Sequence, residues 1–304
     1  MASLIRFSSR GLAKIAALRG ACPRISTCGS VTVCTLSDAM KRSDSKPRSA
    51  TQHPFALDGR IALITGATQG LGLEIAAAMA EAGARVVLNG RDRKRLATAV
   101  GELRRRGIEA QALAFDVADS KGVATAFRRL EREFGGLDIL VSNVGIRDRR
   151  PLTEIAAKEF EHMLDVNLTA SFHLAKAAIA LMVPRGWGRI IMLTSIAGPL
   201  GRANDSAYIA AKGGLAGFAR ALACEFGAQG ITTNAIAPGY FATETNELMV
   251  GQPAVKEFVL RRIPLRRWGR PGEIAGAAVF LASDAASYVN GHILTVDGGL
   301  SASF

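Results

Sequence analysis

From about residue 60 onward, apolar residues fall into short unbroken runs separated by longer stretches of helical spacing. Ile61 to Thr65, Arg85 to Asn89, Ala110 to Phe115, Leu137 to Ser142, Arg189 to Thr194, Thr232 to Ile236 and Ile293 to Val296 read as strands. Runs without alternation imply burial on both faces. Between them, residues 70–83, 91–106, 119–134, 156–164, 167–183, 206–228 and 271–282 carry apolar positions three and four apart, the spacing of helices with one buried face. Strands that alternate with helices predict an α/β fold: one doubly wound, parallel, seven-stranded sheet with helices on both faces. The stretch from Tyr240 to about Arg270 follows neither period. It contains Pro253, Pro264 and Trp268 and reads as an irregular lid.

Composition changes the picture only at the N-terminus. Nine Lys/Arg against Asp38 and Asp44 in residues 1–50 account for seven of the twelve net positive charges. The remainder is scattered over helices, so the charge does not point to nucleic acid. Residues 1–54 are Ser- and Arg-rich and read as an extension preceding a domain over 55–304. Three readings stay open: a disordered extension, an organelle transit peptide, or sequence upstream of a natural start at Met40. Cys22, Cys28 and Cys34 lie in that extension and only Cys224 in the domain, with no CxxC pair, so no disulfide framework or metal site is expected. No uninterrupted apolar run reaches about 18 residues, so no membrane span is expected. The expected location is the cytoplasm, or an organelle matrix if residues 1–39 are a transit peptide.

The first strand runs into Thr65, Gly66, Ala67, Thr68, Gln69, Gly70, Leu71 and Gly72, and then a helix. In that context Gly66 permits the turn, Gly70 lets backbone approach a pyrophosphate, and Gly72 allows close helix packing. The helix N-terminus offers free N–H groups to phosphate. The second strand ends at Asn89, followed by Gly90 and Arg91, where a carboxylate would favour NAD. Arg91 favours NADP, since a guanidinium matches a 2′-phosphate; NAD stays possible. Asp116, closing the third strand, suits the adenine amino group.

Tyr208 and Lys212, four apart, share one helix face. A phenol titrates near about 10 and needs nearby positive charge to act as a base at neutral pH. Ser195, after the fifth strand, and Asn143, after the fourth, lie at the carboxyl edge where open α/β sheets bind ligands.

Together these residues resemble the short-chain dehydrogenase/reductase family over about residues 57–300, with Asn167 and Pro238-Gly239 completing the pattern. The resemblance implies a single-domain Rossmann fold and an NAD(P)-dependent oxidoreductase acting on CH–OH donors. It implies Tyr208 as acid/base, Ser195 positioning the substrate oxygen, Lys212 holding the nicotinamide ribose while depressing the phenol, and Asn167 in a proton relay. From the residues alone, Asn167 reads as a helix cap. The cofactor set then comprises Gly66, Thr68, Gln69, Gly70, Leu71, Gly72, Asn89, Arg91, Asp116, Val117, Asn143, Gly145, Tyr208, Lys212, Pro238, Gly239, Phe241 and Thr243. One departure stands at Ser142 to Gly145, where the family usually has Asn-Asn-Ala-Gly. Val144 is bulkier than the alanine it replaces. A homotetramer is a further implication.

Within the family the chain is most similar to gluconate 5-dehydrogenases and related sugar-acid dehydrogenases, through 143–151, 200–202, 238–245 and 267–269. Arg149 and Arg202 become candidates for a substrate carboxylate, with Ser195, Tyr208 and Tyr240 as further substrate contacts. The alternative for Arg149 and Arg202 is pairing with Asp148 and Asp205 at the rim. Two other functions compete: reduction of 3-oxoacyl thioesters or other small ketones, and a non-catalytic dinucleotide-binding regulator.

Overall fold

The structure, a computed structural model, describes residues 53–303. The extension expected over 1–54, with its alternative start at Met40, lies outside the described residues up to Gln52.

Seven strands form one parallel sheet: β1 (Ile61–Ile64), β2 (Arg85–Gly90), β3 (Ala110–Ala114), β4 (Ile139–Ser142), β5 (Gly188–Leu193), β6 (Ile231–Pro238) and β7 (Ile293–Val296). Their order is β3-β2-β1-β4-β5-β6-β7, and all six pairings are parallel. The direction of winding reverses between β1 and β4, which opens a crevice at their carboxyl ends. The inner strands β1, β4 and β5 are buried along their whole length, as their unbroken apolar runs require. One face of the sheet packs on α1 (Gly70–Glu81), α2 (Arg93–Arg105) and a C-terminal helix over Ala275–Ala282. The other packs on α3 (Ser120–Phe134), α5 (Ala170–Met182) and α6 (Ser206–Phe226).

Three elements differ from expectation. The helices expected at 156–164 and 167–183 are one run: α4 (Ala157–Leu164) passes through a π-helical turn, Asp165–Thr169, into α5. This run, Ala157–Arg185, is by length and composition long and apolar enough to cross a membrane, its most apolar 18-residue window having a mean hydropathy of 1.4. Its apolar residues Leu174, Ala178, Ile179 and Met182 nevertheless pack in the core beneath the sheet. The stretch after β6 is not irregular throughout. It holds a short helix α7 (Glu247–Val250) and α8 (Pro253–Arg262), so the C-terminal helix is α9. Pro253 sits at the start of α8, where its fixed φ and missing N–H suit the first turn. The punctuation that read as a loop is therefore a helix start. Finally, β6 extends through Pro238, whose carbonyl accepts from Ile196 N–H at 3.2 Å. This ties the end of β6 to the residue after Ser195.

The opposite edge of the sheet rests on tight turns. Gly230 precedes β6 at φ +81°, and a Cβ there would lie 2.1 Å from the carbonyl oxygen of Gly186. Gly186 has φ +63° with open space around it. G186A is expected to cost only the left-handed backbone term, about 1–2 kcal/mol. G230A adds a backbone clash and is expected to cost at least about 3 kcal/mol. Urea midpoints of the two variants read the difference directly.

Candidate active site

Ser195, Tyr208 and Lys212 meet at the carboxyl ends of β4 and β5. Ser195 follows β5, is 8% exposed, and accepts at Oγ from Ala197 N–H at 3.1 Å. Its hydroxyl interacts with the phenol of Tyr208, one turn into α6. Lys212 lies one turn further on, 3% exposed, with Nζ 5.7 Å from the Tyr208 ring centre and donating to Leu193 O at 2.8 Å. All three line a cleft of about 780 Å³ that runs to the glycine-rich loop.

Burial governs the titration of this group. It pushes Tyr208 above the usual phenol value; the Arg147 guanidinium and the Ser195 hydroxyl pull it back, Asp205 opposes them, and Arg149 helps them. Burial pushes Lys212 down to about 8. The ammonium thus sits near the boundary between charged and neutral, with Leu193 O as its one hydrogen-bond partner among the described residues.

Asn167 is not a cap. It lies in the π-helical turn, fully buried, and holds the loop after β4 in both directions: Oδ1 accepts from Ile146 N–H at 3.2 Å and Nδ2 donates to Ile146 O at 3.0 Å. The fifth-residue bond of a π turn displaces the chain at this point, a feature no hydrophobic period reveals. A Cβ on Gly145 would come within 2.9 Å of Asn167 Oδ1 and 3.3 Å of Lys212 Nζ, so Gly145 is the thin wall between them.

The glycine-rich loop fits a dinucleotide's phosphates. Gly66 and Gly70 have φ +61° and +58°. Gln69 precedes α1 without a side-chain cap, leaving the first N–H groups of the helix open. A Cβ on Gly72 would sit 2.5 Å from Gly66 O and 2.6 Å from Asn143 Nδ2. Asn143 in turn donates to Thr65 O and Gly66 O at 3.1 Å each, which binds the loop to β4. Val144 lines the cleft and closes on Gly66, at 3.1 Å from where a Cβ would stand.

The other expected cofactor residues divide. Thr68, Gln69, Gly70, Leu71, Asn143, Gly145, Pro238, Phe241 and Thr243 line the cleft, while Gly239 lines the adjoining pocket. Asn89 is buried, and its side chain donates to Leu113 O and Phe115 O, stitching β2 to β3. Asp116 accepts from Ala118 N–H, and Val117 is core. Arg91 is exposed and outside the cleft lining; Arg95, one turn along α2, lines the cleft and donates to Gln69 at 2.7 Å. Arg95 was readable from its four-residue spacing after Arg91, at the start of a helix beside the loop.

The adjoining pocket, about 580 Å³, is walled by Ser195, Leu200, Tyr240, Phe258 and Trp268 and is rimmed by Arg147, Arg149, Arg202 and Arg262. Among the described residues no carboxylate side chain lines it. The rim arginines sort into two kinds. Arg147 pairs with Asp205, and Arg150, outside the pocket lining, pairs with Asp148 and Glu159. Arg149 meets only the Met249 sulfur, and Arg202 donates to the Tyr240 hydroxyl at 3.0 Å; neither has a carboxylate partner among the described residues. Asn246, Met249 and Phe258, which the lid contributes, escaped sequence reasoning because the lid had no recognised period.

A lysine buried while charged destabilises the fold. A fall from 10.5 to about 8 corresponds to roughly 3 kcal/mol at about 1.4 kcal/mol per unit. Below pH 8 both folded and unfolded states are protonated and the full cost applies. Between about 8 and 10.5 the folded state releases its proton first, and the cost fades. K212M orphans Leu193 O at about 1 kcal/mol. It is therefore expected to be about 2 kcal/mol more stable than the parent at neutral pH, with that gain shrinking as pH rises, and to lose catalysis. Thermal melts at three pH values check this.

Known proteins bear on this arrangement. Residues 66–301 match the family described as enoyl-(acyl carrier protein) reductase. Gluconate 5-dehydrogenase of Gluconobacter oxydans is 40% identical over 253 residues, 83% of this chain and 99% of that one. The 5-keto-D-gluconate 5-reductase of Escherichia coli K12 is 39% identical over 81% of this chain and 97% of its own length. A gluconate 5-dehydrogenase from Burkholderia cenocepacia, solved in complex with NADP and tartrate, superposes with a TM-score of 0.79 at 40% identity, covering 83% of this chain and 98% of that one. With its sheet order, glycine-rich loop and serine–tyrosine–lysine cluster, the chain belongs to the short-chain dehydrogenase/reductase family.

Proposed function

We propose that this chain is an NADP-dependent oxidoreductase that interconverts a secondary alcohol and a ketone on a sugar acid such as gluconate/5-ketogluconate. The carrying observation is the pocket beside Ser195 and Tyr208: among the described residues, Arg149 and Arg202 rim it without carboxylate partners and no acidic side chain lines it. Unpaired guanidiniums at a pocket mouth suit a carboxylate, which they bind as a fork. Relatives named for gluconate and 5-ketogluconate, and a relative solved with NADP and tartrate, support the same reading.

The chain's own residues divide the work. Arg149 and Arg202, the latter braced by Tyr240, hold the carboxylate end. Ser195 donates to the reacting oxygen, and Tyr208 takes its proton in oxidation or returns one in reduction. Lys212 and the uncapped start of α1 hold the cofactor, with Asn143 and Gly145 bordering it. A bound nicotinamide would supply or accept the hydride and, when oxidised, would add positive charge that favours the phenolate. Arg95, which lines the cleft, and Arg91, one turn before it, would hold a 2′-phosphate. Residues 55–304 form the catalytic domain. Exposed Phe172 beside Phe218 on the outer helix faces supports self-association, read as a homotetramer. The compartment is the cytoplasm, or an organelle matrix where residues 1–39 serve as a transit peptide.

Purified protein assayed with NADP(H) against polyol acids, their uncharged lactones, 3-oxoacyl thioesters and simple ketones tests the reading. Turnover is expected on polyol acids, lost in Y208F with NADPH binding retained. Turnover on thioesters alone, or on lactones as readily as on acids, would overturn it. For the cofactor, R91A and R95A are each expected to weaken NADP roughly tenfold or more, as loss of a charged hydrogen bond does, with little effect on NAD. Equal effects on both cofactors would remove the 2′-phosphate assignment.

A further inference from the structure

Arg147 has no part in the reading above, yet it is the cation nearest the ring of Tyr208. Its guanidinium carbon lies 4.5 Å from the ring centre. It is clamped there: Nε donates to Asp205 Oδ1 at 3.0 Å, and Nη2 donates to Oδ2. The Arg147 side chain is 29% exposed and that of Asp205 is fully buried. Asp205 stands where α6 begins, at the N-cap position, but its side chain makes no capping bond. An aspartate there ordinarily satisfies backbone N–H groups and stabilises the helix by about 1 kcal/mol. Here the carboxylate turns away from the helix to fix a guanidinium over the residue three positions on.

We propose that Arg147, held by Asp205, is a positioning residue for proton transfer: a fixed cation against the Tyr208 ring that favours the phenolate. A cation over an aromatic face is attracted by the ring's negative potential, and that potential deepens when the phenol loses its proton. The groups facing Tyr208 are Arg147 and Arg149 from the loop after β4, Ser195 after β5, and Asp205 and Lys212 on α6. Arg147, Ser195 and Arg149 favour ionisation, Arg147 most strongly, and Asp205 opposes it. Lys212 is less constant, since burial brings it to about 8. A guanidinium keeps its charge across the whole working range. It also occupies the junction of the cofactor cleft and the substrate pocket, lining both.

This inference rests on Tyr208 as the acid/base, but its test needs no substrate. The chain has three tyrosines, Tyr208, Tyr240 and Tyr288. Carbon-13 at tyrosine Cζ gives each phenol its own resonance, and Y208F assigns the one of interest. The full chain, without ligand, is titrated as parent, R147M and R147K. R147M is expected to raise the Tyr208 midpoint by about one pH unit or more, and R147K to recover at least half of the shift. Fully exposed Tyr288 stays unmoved as the internal control. A Tyr208 midpoint that is unchanged or lower in R147M overturns the proposal and leaves Arg147 as packing. If R147M does not fold, R147Q decides by the same criterion. Failure of the sugar-acid assay leaves this titration intact, so the two readings fall separately.

Discussion

Burial of a phenol and an amine together is the constraint from which the rest of the site follows. Desolvation disfavours both charges that the proposed chemistry needs: it raises Tyr208 and lowers Lys212. Neither residue can correct the other fully from one helix face. Compensation has to come from elsewhere in the sheet, and it arrives through the loop after β4, which brings Arg147 and Arg149, and through the end of β5, which brings Ser195. The parallel topology makes this possible, since the carboxyl ends of β1, β4, β5 and β6 all open on the same edge.

The same edge must also hold a flexible, multiply charged cofactor against that buried pair. The solution is a set of positions where side chains are absent. Gly72 lies against Gly66 O and the Asn143 amide, and Gly145 lies between Asn167 and Lys212. Asn143 then stitches the loop to β4 with two bonds, and Asn167 stitches the next loop to the π-helical turn with two more. The phosphate loop is thus tied to the end of β4, and the loop that follows β4 to the π-helical turn, each through a side-chain amide on backbone groups. Val144 enters this frame at Gly66 without opening it, because the glycine leaves the space that the valine methyl occupies.

Much of this is legible along the chain because it is local. Seven apolar runs give seven strands, and glycines at a strand–helix junction give the loop, since period and turn chemistry depend on near neighbours. Tyr208 and Lys212 are legible from spacing, and Ser195 from its place after a strand. Where the sequence misleads, a distant partner decides. Asn89, expected at the cofactor, spends its amide on β3 carbonyls twenty-odd residues away. Asn167 looks like a cap until Ile146 supplies its partners. The helix α8 hides behind Pro253, because the same residue opens helices and punctuates loops.

The rim arginines show most clearly what only three dimensions can decide. Arg147, Arg149 and Arg150 crowd within four residues beside Asp148, with Asp205 far along the chain. By proximity any pairing among them is possible. In the fold, Arg150 takes Asp148 and Glu159, and Arg147 takes Asp205. Two charges are thereby fixed, and Arg149 is left facing the pocket beside Arg202 without a carboxylate. Guanidiniums that have already met their anions are scaffolding; on the proposed reading, the other two hold the substrate's carboxylate. Because α6 begins at Asp205, the helix that carries Tyr208 and Lys212 also determines which arginine remains available at the rim. The proposed acid/base and carboxylate sites are therefore joined through one buried aspartate, and a change at Asp205 would disturb both.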